Sequence, residues 1–121
     1  MTAARFGRVQ LQIMQVLWSR GRATAREITD ALNESDEIAH STVQTLLRKL
    51  EAKGTVAHDV EDRTFIYYPL VKEQNVTRKA TRDLIDRVFG GSVGGLIAHL
   101  LKNERISKAE LERIRRMIGE K

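Results

Sequence analysis

Ser41, Thr42, Gln44, Thr45, Arg48 and Lys49 are the side chains of this sequence whose types and spacing best suit a chemical task. They interleave with Val43, Leu46, Leu47 and Leu50, which recur at i, i+3, i+4 and i+7 and so form the buried stripe of a helix with a polar opposite face. Short hydroxyls near a helix start can meet base edges or thymine methyls in a DNA major groove without the entropy loss of long side chains, while Arg48 and Lys49 suit phosphates. An ordinary amphipathic surface helix has the same pattern, so spacing alone leaves both readings open.

Other chemical groupings are poor. His40 adjoins Ser41, but neighbours in sequence cannot easily hold a nucleophile and its base in register, and no acid is placed to orient the imidazole. His58, Asp59, Glu61 and Asp62 lack ligand-pair spacing on a regular element and read as a solvated turn rather than a metal site. The glycines at 90, 91, 94 and 95 are not followed by the Lys-Ser/Thr of a phosphate-cradling loop, so they read as a helix terminator and hinge. The expectation is no enzyme, no metal and no cofactor.

The elements that must position these residues follow from periodicity. Leu11, Met14, Leu17 and Trp18, widened by Ile13 and Val16, predict a mostly buried helix over 9–18. Thr24 to Glu27 has the spacing of a capping box and opens a second helix carrying Ile28, Ala31 and Leu32 through Asn33. The third helix stops at Gly54. Residues 55–60 and 64–68 are rich in β-branched and aromatic types and predict a hairpin about the charged turn Glu61-Asp62-Arg63, with Pro69 closing the second strand. Phe65, Tyr67 and Tyr68 read as packing on the helices rather than stacking on unpaired bases. A long helix marked by Val76, Ala80, Leu84 and Val88 follows. Beyond the glycines lie the apolar residues 96–101, then Ser107 to Glu110, a second capping-box spacing, before Leu111, Ile114 and Ile118.

Three short helices followed by a hairpin is the order of a winged helix-turn-helix, in which the third helix enters the major groove and the hairpin lies along the backbone. The expected fold is therefore mainly α with a small β-hairpin: a winged-helix DNA-binding domain over 1–72 and a C-terminal helical dimerisation module over 73–121. Arg63 at the hairpin tip and Lys53 at its approach stand where a cation can touch phosphates.

The chain has 121 residues, 41% hydrophobic and 31% charged, which suits one compact body and excludes a string of catalytic domains. It has no cysteine, which removes disulfides and thiolate chemistry and is compatible with a reducing cytoplasm. The apolar runs are too short to span a bilayer and the start lacks a signal-peptide core, so a cytoplasmic protein without membrane insertion is expected. A net charge of +5 admits polyanionic partners. Ten basic against nine acidic residues give +1 over 1–72, and eleven against seven give +4 over 73–121, so the excess does not sit on the expected reader.

These residues resemble a family, the penicillinase repressors of the BlaI/MecI type, which are bacterial winged-helix transcription repressors. The likeness runs from Phe6 to Ile118 and rests on residues 13–18 (Ile-Met-Gln-Val-Leu-Trp), 41–54 (Ser-Thr-Val-Gln-Thr-Leu-Leu-Arg-Lys-Leu-Glu-Ala-Lys-Gly) and 65–70 (Phe-Ile-Tyr-Tyr-Pro-Leu). Residues 87–92 and 106–111 are similar to the family's dimerisation module. The resemblance implies a homodimer on a dyad-symmetric operator in duplex DNA, with the base-contacting positions falling on Ser41, Thr42 and Thr45 and a phosphate-contacting one on Lys49. Ser41 stands where some members carry a longer basic residue. Copper-responsive members have a C-terminal cysteine cluster, which this chain lacks. In β-lactam-responsive members a membrane sensor metallopeptidase triggers cleavage in the dimerisation module, at an Asn-Phe bond in the best-known cases, and the matching pair here is His99-Leu100.

Two expectations follow for the C-terminal part. Leu84, Val88, Leu96, Leu100, Leu111, Ile114 and Ile118 make more apolar surface than three short helices can bury alone, which predicts a dimer face. A glycine-rich hinge just upstream of His99-Leu100 would ease local opening for a protease. The rival to the repressor reading is a winged-helix protein-interaction module, whose third helix packs on a protein instead of DNA.

Overall fold

The computed structural model describes residues 6–119. The described residues form two compact units that divide after Ala80.

In the first unit, helix α1 (Arg8–Arg20) buries Ile13, Met14 and Leu17 and ends where Gly21 takes φ +87° and returns its N–H to the Leu17 carbonyl. Ala23 and Thr24 then form β1 (Ala23–Thr24), too short to have shown in the sequence pattern. Thr24 also caps α2 (Ala25–Leu32). Its hydroxyl accepts from the Glu27 N–H at 3.0 Å, and the Glu27 carboxylate accepts from the Thr24 N–H at 2.8 Å, the reciprocal box that the spacing predicts.

Asn33 holds the loop after α2: its amide donates to the Thr29 and Ile38 carbonyls and its oxygen accepts from the Ile38 N–H. That loop sets the start of α3 (His40–Ala52), which has no side-chain cap and buries Val43, Leu47 and Leu50 completely. Its far end is a Schellman turn. Gly54 adopts φ +79°, the Thr55 N–H reaches the Leu50 carbonyl and the Gly54 N–H reaches Glu51.

Strands β2 (Val56–Glu61) and β3 (Thr64–Pro69) pair antiparallel from Val56 opposite Pro69 to Glu61 opposite Thr64. The expected three-residue turn is thus a two-residue one, because Glu61 stays in the ladder and only Asp62 (φ +51°) and Arg63 (φ +67°) turn the chain. Two positive φ angles make the type I′ geometry that matches the right-handed twist of the strands. β1 adds to β3 (Ala23 opposite Tyr67), giving the sheet order β1-β3-β2. Ile13, Met14, Leu17, Ile28, Val43, Leu47, Leu50, Val56 and Tyr67 form one core between helices and sheet. The half-buried Trp18 donates its indole N–H to the Val71 carbonyl at 2.9 Å, fastening the segment beyond the hairpin to α1. The fold is mainly helical with a small antiparallel sheet, a winged helix.

Helix α4 (Glu73–Val88) runs from the first unit into the second. In the second unit it stops at Gly90 (φ +58°) and Gly91 (φ +84°), with the Gly91 N–H on the Ile85 carbonyl. Ser92 caps α5 (Val93–Asn103) by accepting from the Gly95 N–H at 2.8 Å. This corrects the four-glycine hinge: Gly94 and Gly95 are helical because Ser92 starts the helix before them, which leaves two glycines to turn the chain. Ser107 caps α6 (Lys108–Met117) through the Glu110 N–H. Among the described residues no single helix is long and apolar enough to cross a membrane.

Candidate nucleic-acid interface

The same stripe that buries Val43, Leu47 and Leu50 turns Ser41, Thr42, Gln44, Thr45, Arg48 and Lys49 outward, and all six are exposed. Arg48 leans back over Thr45 at 3.4 Å, near the limit of a hydrogen bond. The hydroxyl-bearing residues occupy the first turns of α3, and the two cations follow one turn later.

Several acidic groups nearby are engaged, whereas Asp62 beside Arg63 makes no ion pair among the described residues. Glu51 is the one carboxylate on α3, and both its oxygens lie 2.8 Å from Nδ1 of His58 on β2, which donates to them. The His58 ring stacks on Phe65 of β3 at 3.8 Å and lies tilted against Tyr67 at 5.5 Å, so the wing is tied to α3 through this cluster. Burial pushes the Tyr67 phenol above its usual value of 10.0, the Glu51 charge adds to the rise and Arg48 opposes it. Asp59 and Glu61 on β2 flank Arg22, at 3.8 and 2.8 Å. Arg8 pairs with Asp36. By contrast Arg48, Lys49, Lys53 and Arg63 are all exposed and make no ion pair among the described residues. Their charge is directed at solvent.

The structure brings only some of the expected cations together. Arg48 and Arg63 share a hollow of about 410 Å³ between α3 and the wing, with Arg26 at the start of α2, His40, Gln44 and Tyr67 also on its wall. Lys53 lies elsewhere, on a hollow of about 680 Å³ with Lys72, Arg78 and Lys79. Arg26 does not stand out in the sequence, and His40 does so only as a poor catalytic candidate beside Ser41. The capping box at Thr24 was the available signal, because it starts α2 from a residue that also pairs with β3 and so sets Arg26 beside the wing.

Of the aromatic residues expected to pack on the helices, Tyr67 does so and Tyr68 is half-buried, while Phe65 is 46% exposed and packs on His58 instead. Among the described residues no three of His, Cys, Asp and Glu gather closely enough to hold a metal ion.

In the second unit, Leu84, Val88, Leu100, Leu111 and Ile118 are exposed, from 41% at Leu100 to 74% at Ile118, and Leu96 and Ile114 are half-buried. Val93, Ile97, Leu101 and Met117 are exposed as well, whereas Ile85, not singled out by the sequence pattern, is buried. His99 and Leu100 lie within α5. The Asn103 amide donates to the His99 carbonyl at 2.9 Å, and the His99 ring meets Phe89 edge-on at 5.7 Å.

A family model matches most of the chain. The penicillinase repressor model matches residues 6–120. The methicillin resistance regulatory protein MecI of Staphylococcus aureus is 26% identical over 110 residues, spanning 91% of this chain and 89% of MecI. The penicillinase repressor of Bacillus licheniformis is 24% identical over 111 residues, spanning 92% of this chain and 87% of the repressor. Among solved structures, the DNA-binding domain of the repressor BlaI superposes with a TM-score of 0.54 at 28% identity, covering 59% of this chain and 87% of that domain.

Proposed function

The chain belongs to the penicillinase repressor family, and from that premise we propose that it is a transcriptional repressor that binds a dyad-symmetric operator in duplex DNA as a homodimer, in the cytoplasm. Its family is one of repressors, not enzymes. One observation carries the reading: α3 exposes hydroxyls and unpaired cations while its sole carboxylate is held by His58. Such a face attracts phosphates and leaves short polar groups free to meet base edges. Ser41, Thr42 and Thr45 take the base-contacting role. Arg48, Lys49, Lys53 and Arg63 contact the backbone, and Leu84, Val88, Leu96, Leu100, Leu111, Ile114 and Ile118 form the dimer face.

Two symmetry-related α3 helices must enter major grooves on one side of the duplex, so half-sites about 10–10.5 base pairs apart, or a multiple, are required. The test uses duplexes selected by the protein from a random pool, rebuilt with altered spacing and titrated at several salt concentrations. Affinity should peak at one helical repeat and fall steeply with salt. Binding that ignores both spacing and salt would reject the reading in favour of a protein-interaction module.

The proposal extends to derepression by cleavage at His99-Leu100, under a membrane sensor metallopeptidase. The cut would detach Leu100, Leu111, Ile114 and Ile118 and separate the two half-site contacts, at a loss of about 10²- to 10⁴-fold in affinity without touching one base contact. Mass spectrometry of the protein from β-lactam-treated cells should find a fragment ending at His99. An intact chain during derepression discards this part.

A further inference from the structure

The hollow between α2, α3 and the wing contains a histidine whose tautomer can be deduced. The Thr29 hydroxyl lies 2.8 Å from the Ala25 carbonyl and 2.8 Å from Nδ1 of His40. A hydroxyl has one proton, and a carbonyl can only accept, so the proton goes to Ala25. Thr29 must therefore accept from His40, which places a proton on Nδ1 and leaves Nε2 as the nitrogen that gains or loses one. The His40 ring makes no other hydrogen bond among the described residues. Thr29 is itself buried, so the ring is held by a fixed partner.

The charged and titratable groups on the same wall are Arg26 from α2, Arg48 from α3, Arg63 from the turn and Tyr67 from β3, with Thr24 and Gln44 as neutral polar neighbours. No carboxylate lines it. Arg26 has only a 4.0 Å approach to Asp30, and Arg48 and Arg63 have no ion pair. Three guanidiniums on one concave wall, without an acid among them, favour an anion in the hollow.

We propose that this hollow seats a backbone phosphate of bound DNA, and that His40 contacts it through Nε2 as an imidazolium, so that operator binding takes up a proton. The inference rests on the DNA-binding reading given above. A neutral Nε2 would present a lone pair to the phosphate and repel it, whereas a protonated one gives a charge-assisted donor. Because the bound state holds the extra proton, affinity rises as pH falls. The contact is to phosphate, so it strengthens selected and random duplexes alike.

The test measures fluorescence anisotropy of a labelled duplex, selected from a random pool, with the full-length protein and with His40→Gln between pH 8 and pH 6 at constant ionic strength. Gln keeps a neutral amide donor at the reach of Nε2 but does not titrate. Wild type should gain about tenfold in affinity over the variant across this range, for selected and random duplexes. Imidazole ¹⁵N spectra of the wild-type protein give a readout independent of the variant's folding. They should show Nδ1 protonated in the free protein, and both nitrogens protonated in the complex. Equal pH profiles for wild type and His40→Gln, or a free protein protonated at Nε2 alone, would overturn the inference while salt-dependent binding left the repressor reading standing. Absence of salt-dependent binding by either protein would remove that reading instead. A His40 signal that responds to inorganic phosphate but not to the duplex would assign the hollow to a free anion and overturn the DNA contact.

Discussion

Replacing Lys49 by Ala should flatten the salt dependence of DNA binding, by an amount that follows from the structure. Lys49 is exposed and has no acidic partner among the described residues, so its removal strands no carboxylate. Each phosphate contact releases counterions and contributes about 0.9 to the slope of log affinity against log salt. A dimer loses two such contacts, about 1.8 in slope. Raising salt fourfold, from 50 to 200 mM, should then narrow the gap between wild type and Lys49→Ala by roughly 12-fold, since four to the power 1.8 is about 12. Arg22→Ala is the control. Its guanidinium is already engaged by Glu61 at 2.8 Å and Asp59 at 3.8 Å, so its removal should change the slope little. Anisotropy titrations of one duplex at five salt concentrations give all three slopes. Equal slopes for wild type and Lys49→Ala, or a larger loss for Arg22→Ala, would refute the reasoning from unpaired charge.

Thr45→Ala should leave the salt slope intact and reduce discrimination between selected and random duplexes by about 1 to 3 kcal/mol per half-site, measured by competition. Leu111→Glu places a charge on the exposed apolar face of α6, and the full chain should sediment as a monomer at micromolar concentration with an unchanged helical circular dichroism signal. The raised pKa of Tyr67 means that the folded state favours the neutral phenol. Its contribution to stability is therefore complete below pH 10.0 and lost as pH rises through the folded value, so Tyr67→Phe should flatten the alkaline decline of the denaturation midpoint.

Legibility in the sequence followed the length and regularity of each signal. The α3 stripe repeats over two turns, and the Thr24-Glu27 box has a fixed offset, so both showed in the sequence. A two-residue strand has no period, and β1 is visible only once β3 lies beside it. The charge of Glu61 points to a three-residue turn, while its ladder position opposite Thr64 is set by the strand register and leaves only Asp62 and Arg63 to turn the chain. Composition alone makes Gly94 and Gly95 part of a hinge, yet the Ser92 cap decides their conformation. At the candidate interface, residues on one helix could be assigned to one face. Arg26 and His40 could not, because they reach the hollow from an adjoining helix and from the margin of the α3 stripe, through contacts between elements.

The tie between α3 and the wing has a mechanical consequence. Glu51, His58 and Phe65 join the helix to both strands of the hairpin by a doubly accepted hydrogen bond and a face-to-face stack, without an intervening loop. Such a joint behaves as a calliper set to one opening. A compliant wing would follow the contours of whatever it met and tolerate many of them. A stiff one makes the partner do the bending, so that any surface departing from the preset gap incurs the deformation energy itself, and ease of deformation becomes part of what is recognised.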